Sequence, residues 1–173
     1  MQEAGRLYWY SWAGSKSAAW GVFWPHAAIV KLCWSAETMP DILTMKTLRA
    51  AVQNGSVDTV IAAFPDMQGR LMGKRFHAQF FIDHAWEETH CCNYLIATDL
   101  EMATVDGYAS TSWSSGYGDY VMRPDLDTLC ILPWLDATAL VLCDLLDHHT
   151  HELVPHAPRT ILKQQLKRRL TAV

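Results

Sequence analysis

The chain has 173 residues, a formal net charge of −4 and a sequence pI near 6.0, and 50% of its residues are hydrophobic. A chain of this length and apolar content can bury a core, which excludes wholesale disorder. Its acidic balance gives no positively charged surface for nucleic acid, and its most apolar run is shorter than the roughly 20 residues of a membrane span. We therefore expect it to bind neither nucleic acid nor a membrane. The 5 cysteines contain no C-x-x-C pair, which is typical of a reduced, cytoplasmic protein.

Residues 1–37 differ from the rest of the chain. Their tryptophans follow neither helical nor strand spacing, and Pro25 interrupts their most apolar run. We expect a disordered or loosely docked extension, or a misassigned start codon with Met39 or Met45 as the true first residue. A signal peptide is a further alternative.

The pattern becomes regular from residue 38. Apolar residues at helical spacing predict a short amphipathic helix over 44–52. The next two apolar runs, 57–64 and 70–82, predict the strands of a β-hairpin that turns at Gly69. Asp83 follows the hairpin and predicts the cap of a helical turn.

The second half of the chain predicts further strands and one more helix. The predicted strands are 94–98, 119–123, a segment at 129–133 and a central strand at 137–146, and the predicted helix is 159–170. The helix carries an apolar stripe of Ile161, Leu162, Leu166 and Leu170. Strands and a few helices in this order predict an α+β fold with a mostly antiparallel or mixed sheet.

The long loop between the strands predicted at 94–98 and 119–123 is the main functional candidate. Asp106 precedes Gly107 in this loop, and a carboxylate in a partly desolvated pocket stabilises an ammonium or amine cation. An ordinary Asp-Gly turn is the alternative. Tyr108, Trp113 and Tyr117 are either pocket walls or packing residues.

A histidine-rich segment follows the central strand. It offers potential metal ligands at close spacing, namely Asp147, His148, His149, His151, Glu152 and His156. Metal sites need convergent geometry, which spacing inside one loop does not establish. We therefore predict a polar connection and no metal site.

Five segments carry a resemblance to a known family. They are FPDMQGRLMGKRF (64–76), CNYLIATDLEM (92–102), GYGDYVMRPDLDTL (116–129), PWLDATALVLCDLLD (133–147) and PHAPRTILKQQLKRRL (155–170). In this order they resemble the N-terminal part of the glutamine synthetase family, and most closely its branch of γ-glutamyl-amine and polyamine ligases. Residues 1–37 match nothing in that pattern.

The resemblance implies a fold and a site. It implies a β-grasp domain over 38–147 that packs in a homo-oligomeric ring, where its loop completes the active site of the adjacent subunit. By position, Asp106 corresponds to the aspartate that binds and deprotonates ammonium, and Gly107, Tyr108 and Trp113 to its substrate-binding loop. The family pattern often continues Asp-Gly-Ser-Ser, and Tyr108-Ala109 depart from it, which leaves room for an amine larger than ammonia.

The resemblance also implies cofactors that this chain does not bind by itself. The family joins glutamate to ammonia or an amine in nitrogen metabolism and glutamine biosynthesis, using ATP with Mg²⁺ or Mn²⁺ held by a catalytic domain. Residues 148–173 are expected to be a linker and the first helix of that domain. We therefore expect a truncated N-terminal fragment that is inactive alone. The alternative is a non-catalytic interaction module that docks on full-length ligase subunits.

Overall fold

The computed structural model describes residues 42–108, 110–114 and 116–171. The expectations for residues 1–37 lie outside these residues. The helices are α1 (Met45–Gln53), α2 (Ala78–Phe80), which continues into a π-helical turn (Phe81–Ala85), and α3 (Pro158–Thr171), with a 3-10 turn at Asn93–Ile96. The strands are β1 (Thr59–Pro65), β2 (Leu71–His77), β3 (Thr89–Cys92), β4 (Asp119–Ile131) and β5 (Thr138–Asp147).

The strands form one 5-stranded mixed sheet in the order β2-β1-β5-β4-β3. β1 pairs in parallel with β5, from Thr59 opposite Thr138, and every other pairing is antiparallel. A hairpin whose first strand lies parallel to the last strand is a β-grasp-like arrangement. The mixed sheet and its helices confirm the predicted α+β fold.

One face of the sheet builds the core. Alternate residues of β1 and β5, such as Val60, Ala62 and Val141, are fully buried, because successive side chains of a strand point to opposite faces. Leu48 of α1 and Phe81 of the π-helical turn pack against them in the same cluster. Helix α1 and the π-helical turn therefore cover this face of the sheet.

Helix α1 confirms the prediction for 44–52. Thr44 is its N-cap: the Thr44 hydroxyl accepts from Thr47 N at 3.2 Å, and Thr47 Oγ1 accepts from Thr44 N at 2.8 Å. This reciprocal pair satisfies two backbone donors that the first helical turn leaves open. Leu48 then buries the apolar face.

Three sequence predictions in the first half of the fold are wrong in part. The strand predicted over 70–82 ends at His77. The residues that follow are helical, and this conformation buries Phe81, Ile82 and Ala85. Asp83 lies inside that turn and accepts from Gln79 Nε2 at 2.9 Å, so it is not an N-cap.

The strand predicted over 94–98 is also misplaced. The strand is β3, which pairs with β4 from Thr89 opposite Met122 to Cys92 opposite Asp119, and a 3-10 turn follows it. The two segments predicted at 119–123 and 129–133 belong mostly to one strand, β4, whose pairing with β5 is irregular between Asp125 and Cys130.

Helix α3 confirms the predicted final helix, and its apolar stripe is exposed. Two basic residues of its first two turns hold it to the sheet: Arg159 pairs with Asp144 at 2.8 Å and with Asp125, and Lys163 pairs with Asp125 at 2.9 Å and Asp144 at 2.7 Å. The stripe residues stay exposed, at 42% for Ile161, 59% for Leu162, 52% for Leu166 and 81% for Leu170. Among the described residues no helix is long and apolar enough to cross a bilayer.

Candidate active-site loop

The loop that joins the 3-10 turn to β4, residues 97–118, carries the predicted site residues. Asp106 is exposed, and no hydrogen bond or ion pair within the described residues engages its carboxylate. Gly107 has a φ of +100°, a left-handed conformation that strains any residue with a Cβ. Tyr108 beside it is half-buried. Within the described part of the chain, the carboxylate therefore faces solvent without a partner.

The first limb of the loop, residues 97–105, closes on itself. Val105 N donates to Ala97 O at 2.8 Å, and Asp99 N donates to Ala103 O at 2.9 Å. The Asp99 side chain accepts from the backbone N–H groups of Glu101 and Ala103, both at 2.9 Å. Asp106 thus follows directly on a segment whose backbone is already hydrogen-bonded.

Arg70, at the end of the β1–β2 turn, grips this first limb. Its Nη1 donates to Leu100 O at 3.0 Å, and its Nη2 donates to Asp99 O at 2.9 Å and to Thr98 Oγ1 at 3.3 Å. Gln68 Nε2 donates to Thr98 O at 2.9 Å. The turn of the hairpin therefore holds three consecutive residues of the loop.

Asp66 fixes Arg70 in turn. Its side chain has 0% exposure, and its Oδ2 accepts from Arg70 Nε at 2.6 Å. Its Oδ1 accepts from the backbone N–H groups of Gln68 and Arg70, at 2.9 and 2.8 Å. A buried carboxylate needs such partners, because burial of an unpaired charge costs several kcal/mol.

Asn93 holds the second limb of the loop, residues 110–118. Its Nδ2 donates to Ser110 O at 3.3 Å, and its Oδ1 accepts from Thr111 Oγ1 at 2.9 Å and Gly118 N at 3.3 Å. Its backbone N donates to Gly118 O at 2.9 Å. One buried amide therefore ties both ends of this limb.

The loop aromatic residues form a row beside this limb. The Trp113 and Tyr117 rings lie 5.2 Å apart, and the Tyr117 and Tyr94 rings 5.5 Å apart, each pair edge to face. Trp113 is 78% exposed, so it does not pack in the core. No ring contact within the described residues joins this row to Tyr108. The sequence left open whether these aromatic residues line a pocket or pack in the core. Trp113 does not pack in the core, so its exposed ring is available to line a pocket.

A cleft of about 800 Å³ lies between the second limb and the segment after β5. Ser110 Oγ lies 3.2 Å from His156 Nε2 across it, and burial lowers the pKa of His156. Tyr120 lines the cleft, and burial raises the pKa of its hydroxyl. Asp106 is not among the lining residues, so the cleft and the exposed carboxylate are separate features of this chain.

The histidine-rich segment forms a polar connection in the described part of the chain. The ring of His148 lies 5.2 Å from that of His90 and 5.3 Å from that of His149, edge to face. Within residues 42–108, 110–114 and 116–171, no three His, Cys, Asp or Glu side chains are arranged to hold a metal ion. These residues therefore do not form a site for the divalent metals that the sequence resemblance implies, and the absence of a bound metal stays a prediction.

Sequence reasoning missed the three residues that shape the loop: Asp66, Arg70 and Asn93. A local signal exists for the first two, because an Asp four residues before an Arg across a glycine turn suits an ion pair. The contacts of Arg70 with the loop span 28 to 30 residues of sequence, and those of Asn93 span 17 to 25. Contacts between residues so far apart in sequence produce no periodic pattern from which they could be predicted.

Comparison with known proteins finds several curated relatives. The chain is 52% identical over 127 residues to "Gamma-glutamylethanolamide synthetase GlnA4" of Streptomyces coelicolor, covering 73% of this chain and 27% of that protein. It is 34% identical over 122 residues to "Glutamate--isopropylamine ligase" of a Pseudomonas species, covering 70% of this chain and 26% of that protein. It is also 29% identical over 103 residues to "Type-1 glutamine synthetase 2" of Dictyostelium discoideum, with 60% and 20% covered. No family model matches the chain.

Solved structures agree on the fold. The structure titled "GmaS/ADP complex-Conformation 1" aligns with a TM-score of 0.51 and 22% identity over 78% of this chain and 26% of that one. A second structure, titled "Apo GmaS without ligand", aligns with the same TM-score over 70% of this chain. At this identity the likeness concerns the fold alone. The chain spans about a quarter of the length of the curated relatives it matches.

Proposed function

Because this chain belongs to the glutamine synthetase family over the stretch that it shares with these relatives, we propose that it forms the N-terminal part of an ATP-dependent ligase that joins glutamate to an amine. The single observation that carries the proposal is the 52% identity to a protein named for γ-glutamylethanolamide synthesis. The exposed Asp106 carboxylate supplies the chemistry that this part of the protein adds.

Asp106 binds the amine in its ammonium form. A carboxylate next to the cation favours its binding and then accepts a proton, which leaves a neutral amine with the lone pair that attacks the activated γ-carboxyl of glutamate. Activation of that carboxyl consumes ATP, and phosphoryl transfer needs cations to neutralise the developing charge. The described residues hold no such cation set, so that step belongs to other parts of the ligase.

The amine is a short alkylamine and the partner is an adjacent subunit. Tyr108 and Ala109 stand where the family pattern has two serines, and two of the relatives are named for ethanolamide and isopropylamine. Asp106 is exposed and is not among the residues that line the described cleft, which supports delivery of the loop to a neighbour in a homo-oligomer. The ligase works in the cytoplasm, in keeping with 5 cysteines that form no C-x-x-C pair.

A chimera tests the proposal. Residues 42–171 replace the matching stretch of the Streptomyces coelicolor relative, and mass spectrometry measures the γ-glutamyl amide formed from glutamate, ATP and ethanolamine or isopropylamine. We expect ATP-dependent product with the chimera and none with the purified 173-residue chain alone. A soluble chimera that assembles like the parent protein but forms no γ-glutamyl amide contradicts the proposal.

A docking module is the second candidate, and the exposed apolar stripe of α3 favours it. Ile161, Leu162, Leu166 and Leu170 present apolar surface with no cover in the described structure. In this role the chain binds a full-length ligase subunit and lends or blocks the Asp106 loop. Co-purification of the separately expressed chain with the full-length relative, together with a change in its rate, distinguishes this role from that of a covalently continuous N-terminal part.

A further inference from the structure

We propose that Arg70 and Asn93 are positioning residues that hold the two limbs of the loop and thereby set the place of Asp106. The anchoring itself is a property of this chain. Its consequence for amine binding rests on the proposed function.

The first anchor depends on the shape of the guanidinium group. Arg70 contacts oxygen atoms of three consecutive residues, Thr98, Asp99 and Leu100, through a planar fork of donors, and its Nε stays on the buried Asp66 carboxylate. A lysine ammonium is a compact point charge and does not match several acceptors in one plane. The first limb is therefore held by hydrogen bonds from a guanidinium group, and no other type of side chain offers the same planar set of donors.

The second anchor depends on an amide that donates and accepts at once. Asn93 uses Nδ2 for Ser110 O and Oδ1 for Thr111 Oγ1 and Gly118 N. An alanine at this position leaves the buried Thr111 hydroxyl without its acceptor, which costs free energy, and it removes the contacts of Ser110 O and Gly118 N with the side chain. The second limb is thus held at its start and at its end.

Asp106 lies between these anchors. Among the described residues, the last backbone hydrogen bond before it joins Val105 N to Ala97 O at 2.8 Å, and the first hydrogen bond after it joins Ser110 O to Asn93. Residues held in place before a ligand arrives do not have to be ordered when it binds, so the anchors favour binding of the amine.

The first arm of the test measures anchoring in the full 173-residue chain by amide hydrogen exchange. We expect Arg70→Gln, and also Arg70→Lys, to speed exchange at Asp99 and Val105 at least tenfold while the amides of β1 and β5 keep their rates. The matched control is Arg49→Gln, which removes an exposed arginine of α1. Unchanged exchange in the loop, or equal acceleration in the sheet, overturns the proposal.

Asn93→Ala tests the second anchor in the same way. We expect faster exchange at Gly118 and no change at Val105, because each anchor holds its own limb. If Asn93→Ala does not fold, Asn93→Ser keeps the position polar and small and gives the same readout. Acceleration that is equal in both limbs overturns the assignment of separate anchors.

The second arm measures kinetics in the chimera. We expect Arg70→Lys to raise KM for the amine at least tenfold, with KM for ATP and for glutamate within twofold of the parent, and excess amine to restore most of the rate. A uniform fall in kcat with unchanged KM for the amine overturns the positioning role. An inactive parent chimera contradicts the proposed function instead, and the exchange experiment then decides the anchoring by itself.

Discussion

The Asp66 carboxylate lies buried beneath the Arg70 guanidinium, with Oδ2 2.6 Å from Nε. Asp66→Ala leaves Arg70 and two backbone N–H groups without their acceptor, and we expect a loss of about 2–3 kcal/mol in the free energy of unfolding, since hydrogen bonds to charged groups contribute about 1.5–3 kcal/mol. Urea denaturation measures it. Asp58→Ala, at an exposed aspartate, is the control, and equal losses in both variants contradict the account.

Gly73 permits the close approach of β2 to β1. A Cβ at this position would lie 2.0 Å from Ala62 O and 2.7 Å from Ala63 Cα. Because both are backbone atoms, we expect Gly73→Ala to cost about 2–3 kcal/mol through strand displacement, in the range of overpacked sites. Thermal and urea denaturation check it. Gly118→Ala serves as the control because its Cβ meets only Asn93 Nδ2 at 3.7 Å, an ordinary contact.

The attachment of α3 is pH-dependent. Burial alone would raise the pKa of Asp125, but the hydrogen bonds and charges of Lys163 and Arg159 outweigh it and hold this pKa below its ordinary value. A lowered folded pKa gives stability that is complete above the unfolded pKa of about 4 and is lost as the pH falls through the folded pKa. We expect the free energy of unfolding of the wild type to exceed that of Asp125→Asn by about 1 kcal/mol at pH 7. The difference is small because Lys163 is partly exposed and solvent screens its charge. Urea denaturation at several pH values measures the difference.

The same measurement has a contradicting outcome. Protonated Asp125 and an asparagine have nearly the same shape and no charge, so the two proteins should converge in stability below the folded pKa of Asp125. A difference that does not shrink at all as the pH falls from 7 through the acid range would mean that the ion pairs with Arg159 and Lys163 are not its cause.

The apolar stripe of α3 should make the isolated chain self-associate. Leu162 and Leu166 are 59% and 52% exposed on the same helix. We expect sedimentation to show concentration-dependent association, and Leu162→Glu with Leu166→Glu to abolish it. Gln164→Glu with Gln165→Glu adds the same charge to α3 without removing apolar surface, so association that both double variants abolish would point to charge instead.

The parts of the fold that could be predicted from sequence are those with local causes. The N-cap at Thr44 and the buried Leu48 lie within one turn of helix, and the apolar run of β5 is continuous. The error at residues 78–85 has a physical reason: Phe81 and Ile82 extend the apolar run of a strand equally well, and only their burial against the sheet selects the helical turn.

The candidate site divides in the same way. Asp106 and Gly107 could be selected from local chemistry, because an aspartate followed by a glycine is a short sequence pattern that needs no knowledge of distant residues. The role of Asn93 could not, since the residues it holds, Ser110 to Gly118, lie 17 to 25 positions away. β3 was misplaced for a related reason, because its pairing with β4 is long-range and its residues have little β pattern.

Asp106→Asn in the chimera tests the central claim most directly. The account predicts that kcat/KM for the amine falls by about 10² or more, the usual contribution of a positioned acid or base, while KM for ATP stays unchanged. The control is Glu101→Gln, which removes an exposed carboxylate from the same loop and should keep the parent rate. An Asp106→Asn chimera with the parent kcat/KM for the amine would contradict the account.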